Sequence, residues 1–175
     1  MSEEYTQIVE GCRRRDRKAQ RALYDATAAM ALGVCMRYAH DRTRAQDWMQ
    51  DGYIRVFENI GKLKKPESLM SWVYQVMTNV CITALKREQE RVPIDDVTSE
   101  IVVPPENPFA DEEVVEALQK IMPSQRLVFN LIEVEDYTIE EVAKELKCTE
   151  VNVRALLSRA KSNMREIILK LRVKS

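Results

Sequence analysis

YTIEEVAKELKCTEVNVRALLSRAK, residues 137–161, is the stretch whose reading decides the fold. Ile139, Val142, Ala143 and Leu146 recur at i, i+3, i+4 and i+7, the spacing of one apolar helix face. Thr138 followed by Glu141 makes a capping box that satisfies free amide donors at the start of that helix. Lys147 and Cys148 break the pattern, and Thr149 is placed to cap a second helix. There Val153, Leu156, Leu157, Ala160 and Met164 form one stripe, while Arg154, Ser158, Arg159 and Lys161 point elsewhere. A tight turn between two short helices, the second with a basic outer face, predicts a helix-turn-helix whose second helix can enter a major groove. An ordinary helical hairpin with a solvated charged face is the other reading of the same residues.

Working outward, 175 residues suit one large domain or two small ones, and 45% hydrophobic with 31% charged residues describe a globular chain able to bury real cores. With only four Gly and six Pro, and helical apolar spacing throughout, the chain is expected to be all-α. No long apolar run suggests a transmembrane helix, and the acidic start MSEEYTQ lacks the apolar region of a secretion signal. A cytoplasmic chain without membrane insertion is therefore expected. Cys12, Cys35, Cys81 and Cys148 are scattered, with no CxxC and no clustering with the single His40, so they read as small buried hydrophobes. The formal net charge of −1 hides an uneven distribution. Residues 1–92 carry 16 Lys/Arg against 12 Asp/Glu, residues 93–113 none against 7, and residues 114–175 carry 11 against 9. Two mildly basic segments flank a short acidic one, and the weak total charge limits non-specific affinity for DNA.

Tyr5, Ile8, Val9 and Cys12 predict a short amphipathic helix, followed by the cluster Arg13, Arg14, Arg15, Arg17 and Lys18, which reads as a solvated helix junction. Ala19, Leu23, Ala26, Met30 and Val34 predict a long helix over residues 16–40. Ala45, Trp48, Met49, Gly52, Val56 and Ile60 predict a third, opened by Thr43 and ended by Gly61 as a left-handed cap. After the lysine-rich loop GKLKKPES, a fourth helix is expected from about Glu67 to Arg91, burying Leu69, Val73, Val76, Val80 and Ala84. Beside that face lies a second stripe of Trp72, Gln75, Asn79 and Thr83, then Lys86 and Arg87. An aromatic, hydrogen-bonding groups and cations together suit single-stranded nucleic acid, although a core Trp72 with merely exposed polar neighbours fits as well. Residues 92–111 hold four of the six prolines and no basic residue, and read as an acidic linker. Beyond it, Val114, Ala117, Leu118 and Ile121 predict a helix ended by Pro123, and Ser124 is expected to cap another containing Val128, Leu131 and Ile132. No P-loop, GxGxxG, HExxH or GxSxG is present, so no catalytic residue, metal site or cofactor is expected.

The two halves together resemble a bacterial RNA polymerase sigma factor of the extracytoplasmic-function (ECF) type within the sigma-70 family, the small class retaining only the second and fourth conserved regions. Ala45–Phe57 resembles the family's Asp-led motif with Gln and an acid before an aromatic-rich turn, and Ser71–Asn79 its tryptophan-led helix ending in a promoter-facing Asn. Leu118–Pro123, Arg126–Phe129 and the helix-turn-helix follow the fourth region in order. The resemblance implies two small helical domains joined by an acidic Pro-rich linker: 1–91 as region 2, 92–111 as linker, and 112–175 as region 4, a helix-turn-helix (winged-helix-like four-helix) domain. It implies that Asp47, Gln50, Asp51, Ile54 and Phe57 bind core RNA polymerase. Lys62, Lys64, Trp72, Gln75, Asn79, Lys86 and Arg87 would meet the minus-ten element of promoter DNA and help open it. Asn152, Arg154, Ala155, Ser158, Arg159 and Lys161 would meet the minus-thirty-five element. It further implies one copy per polymerase and control by an anti-sigma protein. Gln75 stands where many members carry Arg, Thr83 where an Asp is common, and Leu156 where an Arg is frequent in the recognition helix. The rival expectation is a free-standing helix-turn-helix transcriptional regulator with an N-terminal dimerisation or sensing domain, which half-site symmetry would require to be dimeric. A protein-interaction adaptor without a DNA role is the third.

Overall fold

The structure, a computed structural model, describes residues 2–89 and 111–174. Among these residues there are eight α-helices and two short 3₁₀ turns, with no strand. Contacts group the chain into Met1–Ala84 and Leu85–Ser175. The expected linker lies outside the described residues, except Asp111, which begins a helix.

The first unit is built from α1 (Ser2–Arg13), α2 (Arg17–Tyr38), α3 (Arg42–Asn59) and the greater part of α4 (Leu69–Gln89). Ile8, Val9 and Cys12 are buried on α1, as their spacing predicts. The basic cluster after them forms the α1–α2 turn: Arg15 takes a left-handed φ of 60°, and Asp16 caps α2 by accepting from the Lys18 amide at 2.8 Å. At Gly11 a Cβ would run into the Cβ of Ala19, so the missing side chain sets how closely α1 approaches α2. At Gly52 a Cβ would meet the sulfur and terminal methyl of Met77 of α4, so the bare backbone there makes room for that side chain.

The buried stripe of α2 is turned by about one residue from the expected one. Leu23 and Val34 are buried, but Ala26 is exposed and Thr27 takes its place. The Thr27 hydroxyl tolerates burial because it donates to the Leu23 carbonyl at 2.8 Å and pairs with the Tyr53 hydroxyl at 2.7 Å. Burial raises the Tyr53 phenol above its ordinary pKa, so it stays neutral. On α4 the same kind of rotation buries Met77 and Cys81 with Leu69, Val73 and Val80, leaving Val76 and Ala84 half-buried. The Cys81 and Cys35 sulfurs lie 3.6 Å apart in this core, both as free thiols.

Helix ends also differ from expectation. Asp41, not Thr43, caps α3, its carboxylate accepting from the Arg44 amide at 2.7 Å. Gly61 has no positive φ and is not a left-handed cap; α3 instead tightens into the 3₁₀ turn Ile60–Lys62. Leu63 then buries its side chain while the Arg13 guanidinium donates to its carbonyl, tying the lysine-rich loop to α1. A second 3₁₀ turn, Pro66–Ser68, precedes α4, which therefore starts at Leu69 rather than Glu67.

The second unit contains α5 (Asp111–Lys120), α6 (Pro123–Glu133), α7 (Ile139–Leu146) and α8 (Glu150–Lys174). These are the four expected helices, and no strand among the described residues supplies a β-wing. Pro123 does not merely end α5. It occupies the first turn of α6 after Met122, where its missing N–H is no loss, and Ser124 is not the cap. Gln125 to Leu131 are all buried, so α6 is the central helix. Its polar members are bonded: Gln125 accepts from the Asn163 side chain at 2.9 Å, and Asn130 donates to the Arg126 carbonyl at 2.9 Å. Arg126 donates to the carbonyls of Leu118 at 2.7 Å, Gln119 at 3.2 Å and Ile121 at 3.0 Å, closing the carboxyl end of α5. Burial pulls its pKa down to about 10, so the guanidinium still carries its proton at neutral pH. Around α5, α6 and α8, Ala117, Leu118, Ile121, Phe129, Ala160, Met164 and Ile168 form one apolar cluster.

The opening stretch folds as predicted. Thr138 and Glu141 form the reciprocal capping box of α7. Lys147 ends that helix at φ 53° and ψ 42°, and the Cys148 amide returns to the Ala143 carbonyl at 3.0 Å. Thr149 accepts from the Asn152 amide at 3.2 Å and so caps α8.

Arg126→Met leaves buried carbonyls without donors and is expected to cost the second unit roughly 3 kcal/mol. Trp48 and Trp72, the chain's two tryptophans, both lie in Met1–Ala84. Urea unfolding followed by far-ultraviolet circular dichroism should therefore shift, while the midpoint seen by tryptophan fluorescence stays in place. The capping box carries a pH dependence of defined sign. Hydrogen bonds from the backbone and side chain of Thr138 hold the Glu141 carboxyl below its ordinary pKa. Its contribution is thus complete above the unfolded carboxyl pKa of about 4.3 and is lost as pH falls through the lower folded value. Thr138→Ala should lower stability at pH 7, and its deficit against wild type should shrink on acidification.

Candidate nucleic-acid interface

The exposed half of α8 is fixed by its buried stripe. With Val153, Leu156, Ala160 and Met164 facing the core, the helical period turns Val151, Arg154, Ala155, Ser158, Ser162 and Arg165 outward on one face. On that face Val151, Arg154, Ser162 and Arg165 are exposed and Ala155 and Ser158 half-buried; Asn152 and Arg159 flank it on one side and Lys161 on the other, all three half-buried. Arg154 is exposed and pairs with Glu150 at 2.9 Å one turn earlier. Lys161 pairs with Glu133 of α6 at 2.8 Å, which holds it against its own unit. Leu156, noted as standing where the related pattern has Arg, is 8% exposed. It belongs to the core, as its periodicity predicts, and cannot reach a base edge. Val151, Ser162 and Arg165 join this face beside the residues that the resemblance implies, and the same period identifies them.

On α4 the second stripe emerges on the side away from Leu69, Val73, Met77 and Cys81. Gln75, Asn79 and Arg87 are exposed, while Trp72, Thr83 and Lys86 are half-buried. Trp72 is thus not a core residue, in contrast to Trp48, which is. The Thr83 hydroxyl donates to the Asn79 carbonyl at 2.8 Å, so it supports the helix. Lys62 and Lys64 are exposed at the loop that Arg13 and Leu63 pin.

A third surface lies on α3. Asp47, Gln50, Asp51 and Ile54 are all exposed at i, i+3, i+4 and i+7, opposite the buried Ala45, Trp48, Met49 and Val56. Ile54 is 56% exposed in the middle of this acidic and amide face. Phe57 is half-buried at its edge and stacks on Tyr53 with ring centroids 6.1 Å apart. Tyr53 in turn meets Tyr24 of α2 at 4.8 Å, and the Arg21 guanidinium lies over Tyr24 at 5.9 Å. This aromatic ladder was not anticipated. The i, i+4 spacing of Tyr53 and Phe57 was its only signal in the sequence.

The remaining reactive groups are quiet. Burial raises the Cys12 thiol to about 11, with Asp16 adding to the effect, and burial raises Cys148 as well, which disfavours the nucleophilic thiolate. Among the described residues no three His, Cys, Asp or Glu gather as metal ligands, and no helix is long and apolar enough to cross a membrane.

These surfaces acquire a context from known proteins. Residues 23–91 match the family described as Sigma-70 region 2, and residues 111–164 match that described as Sigma-70, region 4. The RNA polymerase sigma-H factor of Pseudomonas aeruginosa is 25% identical over 91% of this chain and 91% of its own length. The ECF RNA polymerase sigma factor SigG of Mycobacterium tuberculosis is 26% identical over 78% of this chain and 45% of its own length. The RNA polymerase sigma factor SigV of Bacillus subtilis is 25% identical over 75% of this chain and 80% of its own length. With both regions matched in order over α2–α4 and α5–α8, the chain belongs to the sigma-70 family, as an alternative sigma factor of the ECF type that directs RNA polymerase in transcription initiation.

Proposed function

We propose that promoter recognition is divided between two exposed helical faces and that a third holds the polymerase. The observation that carries this reading is that each assigned stripe lies opposite a buried one. Its side chains are thereby presented outward by a packed helix rather than by a loop. Residues 1–91 act as region 2, 92–111 as the linker and 112–175 as region 4. Asp47, Gln50, Asp51 and Ile54 dock on core polymerase, with Phe57 and the neighbouring aromatic rings at the rim. An exposed isoleucine among acids and an amide suits a partner surface that is apolar at its centre and basic around it.

At the minus-ten element, Trp72 offers a face for stacking, and Gln75 and Asn79 offer hydrogen bonds to the edge of an unstacked base. Lys62, Lys64, Lys86 and Arg87 neutralise nearby phosphates. At the minus-thirty-five element, Arg154, Ala155 and Ser158 face the groove, and Asn152 and Arg159 flank them. Lys161 must first leave Glu133, which makes it the weakest member of that set. The chain is a non-catalytic specificity subunit in this reading, one copy per polymerase, acting in the cytoplasm where the polymerase is. An anti-sigma protein that covers these exposed faces is the regulatory partner that fits. The rival reading, a free-standing dimeric regulator, has no use for the Trp72–Asn79 stripe.

Run-off transcription with purified core polymerase tests the whole reading: the chain should bind core and confer initiation on a defined set of promoters. A chain that does neither disproves it. Asn79→Ala is expected to lower initiation on duplex DNA about tenfold, the value of one good set of base-edge contacts, with core binding near wild type. If core binding falls instead, the stripe is structural.

A further inference from the structure

We propose that Val151 reads the methyl group of a thymine in the minus-thirty-five element, and so makes an A·T pair at one position a determinant of promoter choice. The inference rests on the reading of α8 as the helix that enters the major groove, and names the ligand chemistry at its tip.

Val151 is the second residue of α8 and is 70% exposed. A β-branched residue in the first exposed turn of a helix gains nothing from burial and gives up helix propensity relative to a straight-chain residue. Its position is the informative part. Val151, Ala155 and Ser158 stand at i, i+4 and i+7, with Arg154 beside them, on the face opposite Val153, Leu156 and Ala160. The Glu150 carboxylate is paired with Arg154 at 2.9 Å, and the Asn152 backbone N–H donates to the Thr149 hydroxyl at 3.2 Å as part of the helix cap. At the outward tip of the first turn Val151 presents an isopropyl group, with the small Ala155 leaving room behind it.

A helix-turn-helix inserts the first turns of its second helix closest to the base edges. The major groove offers one apolar feature there, the C5 methyl of thymine. Against the N4 amino group of cytosine or the O6 of guanine, an isopropyl group would strip water from a polar atom and return no hydrogen bond. Against a thymine methyl it buries apolar surface from both partners. Val151 thus favours thymine twice, by the contact it makes and by the desolvation it imposes elsewhere.

The test uses holoenzyme reconstituted from the full chain and core polymerase, on a promoter mapped by run-off transcription. Duplexes are prepared in which single minus-thirty-five thymines, on either strand, are replaced by deoxyuridine, which removes the methyl and nothing else. At one position the loss should weaken promoter binding about fourfold, the worth of one buried methyl-sized group. Val151→Ala holoenzyme should bind the thymine and uracil duplexes equally at that position. The proposal is overturned if Val151→Ala still discriminates, or if no uracil substitution weakens wild-type binding. Arg154→Ala and Ser158→Ala separate this from the reading beneath it. If they weaken binding only when the minus-thirty-five element is intact, while uracil has no effect, the Val151 assignment alone fails. If they too are indifferent to that element, the assignment of α8 to it fails as well.

Discussion

The Arg126 guanidinium, 1% exposed, donates to the carbonyls of Leu118, Gln119 and Ile121, and the geometry of the second unit hangs on those bonds. Pro123 prevents α5 from continuing, so the last carbonyls of α5 end up inside the protein without helical partners. One turn into α6, a planar cation reaches back and satisfies them. This fixes the α5–α6 corner, and α6, buried on all sides, becomes the platform across which α8 packs. Burying a charge is costly, and the depressed pKa of about 10 registers that cost. A guanidinium is suited to it because its charge is delocalised, weakly hydrated and backed by several donors in a fixed fork. A lysine ammonium would offer a compact, strongly hydrated charge in place of that fork. The corner against which α8 packs is thus held by a side chain that is itself buried.

The first unit solves the same problem with less chemistry. α1 and α2 are brought together by a missing side chain, Gly11 against Ala19, α2 and α3 by the hydroxyl pair of Thr27 and Tyr53, and the bare Gly52 makes room for the end of Met77. Close approach on the inner side of α3 leaves its outer side free to carry Asp47, Gln50, Asp51 and Ile54. The same hydroxyl pair that secures Tyr53 holds it where it can stack with Tyr24 and Phe57 at the edge of that surface. Packing and function are separated here by the helical period alone.

That period is also why so much of the architecture was legible in the sequence. Val153, Leu156, Ala160 and Met164 identify the buried side of α8 without help, and the Thr138–Glu141 box marks the start of α7. Where the reading slipped, it slipped by one residue. Ala26 beside Thr27, and Val76 beside Met77, are choices a 3.6-residue repeat hardly separates, and a hydrophobicity rule ranks a threonine as the outer member. Only the partner hydroxyl on Tyr53, far away in sequence, reverses that order. Gly61 carried a boundary signal with the wrong sense, because a glycine permits a left-handed cap without requiring one, whereas Pro123 marked the end of α5 but not its second role of opening α6. Arg126 was invisible as a core residue since a lone arginine in sequence reads as surface. The site stripes were legible for the converse reason: what periodicity assigns to the core, it also removes from the candidate interface, as with Leu156.

Charge limits how the proposed faces can work. On α8, Arg154 is shared with Glu150 and Lys161 with Glu133, and on α4 Lys86 is shared with Glu145 while Arg87 is exposed beside it. Affinity for duplex DNA rises with each phosphate neutralised, the logarithm of the binding constant falling against that of salt with a slope of about −0.9 per phosphate. A few cations on each face, some already paired, give weak binding at physiological salt. The segment 93–113, with 7 acidic and no basic residues, adds repulsion. Two weak faces become effective when a third body holds both at once, because the second contact is then made at an effective concentration of order millimolar. In the proposed reading, core polymerase docked on the Asp47–Ile54 face of α3 is that body. Low intrinsic affinity for DNA is then a requirement of the function: a chain that bound promoters well alone would occupy them without the enzyme.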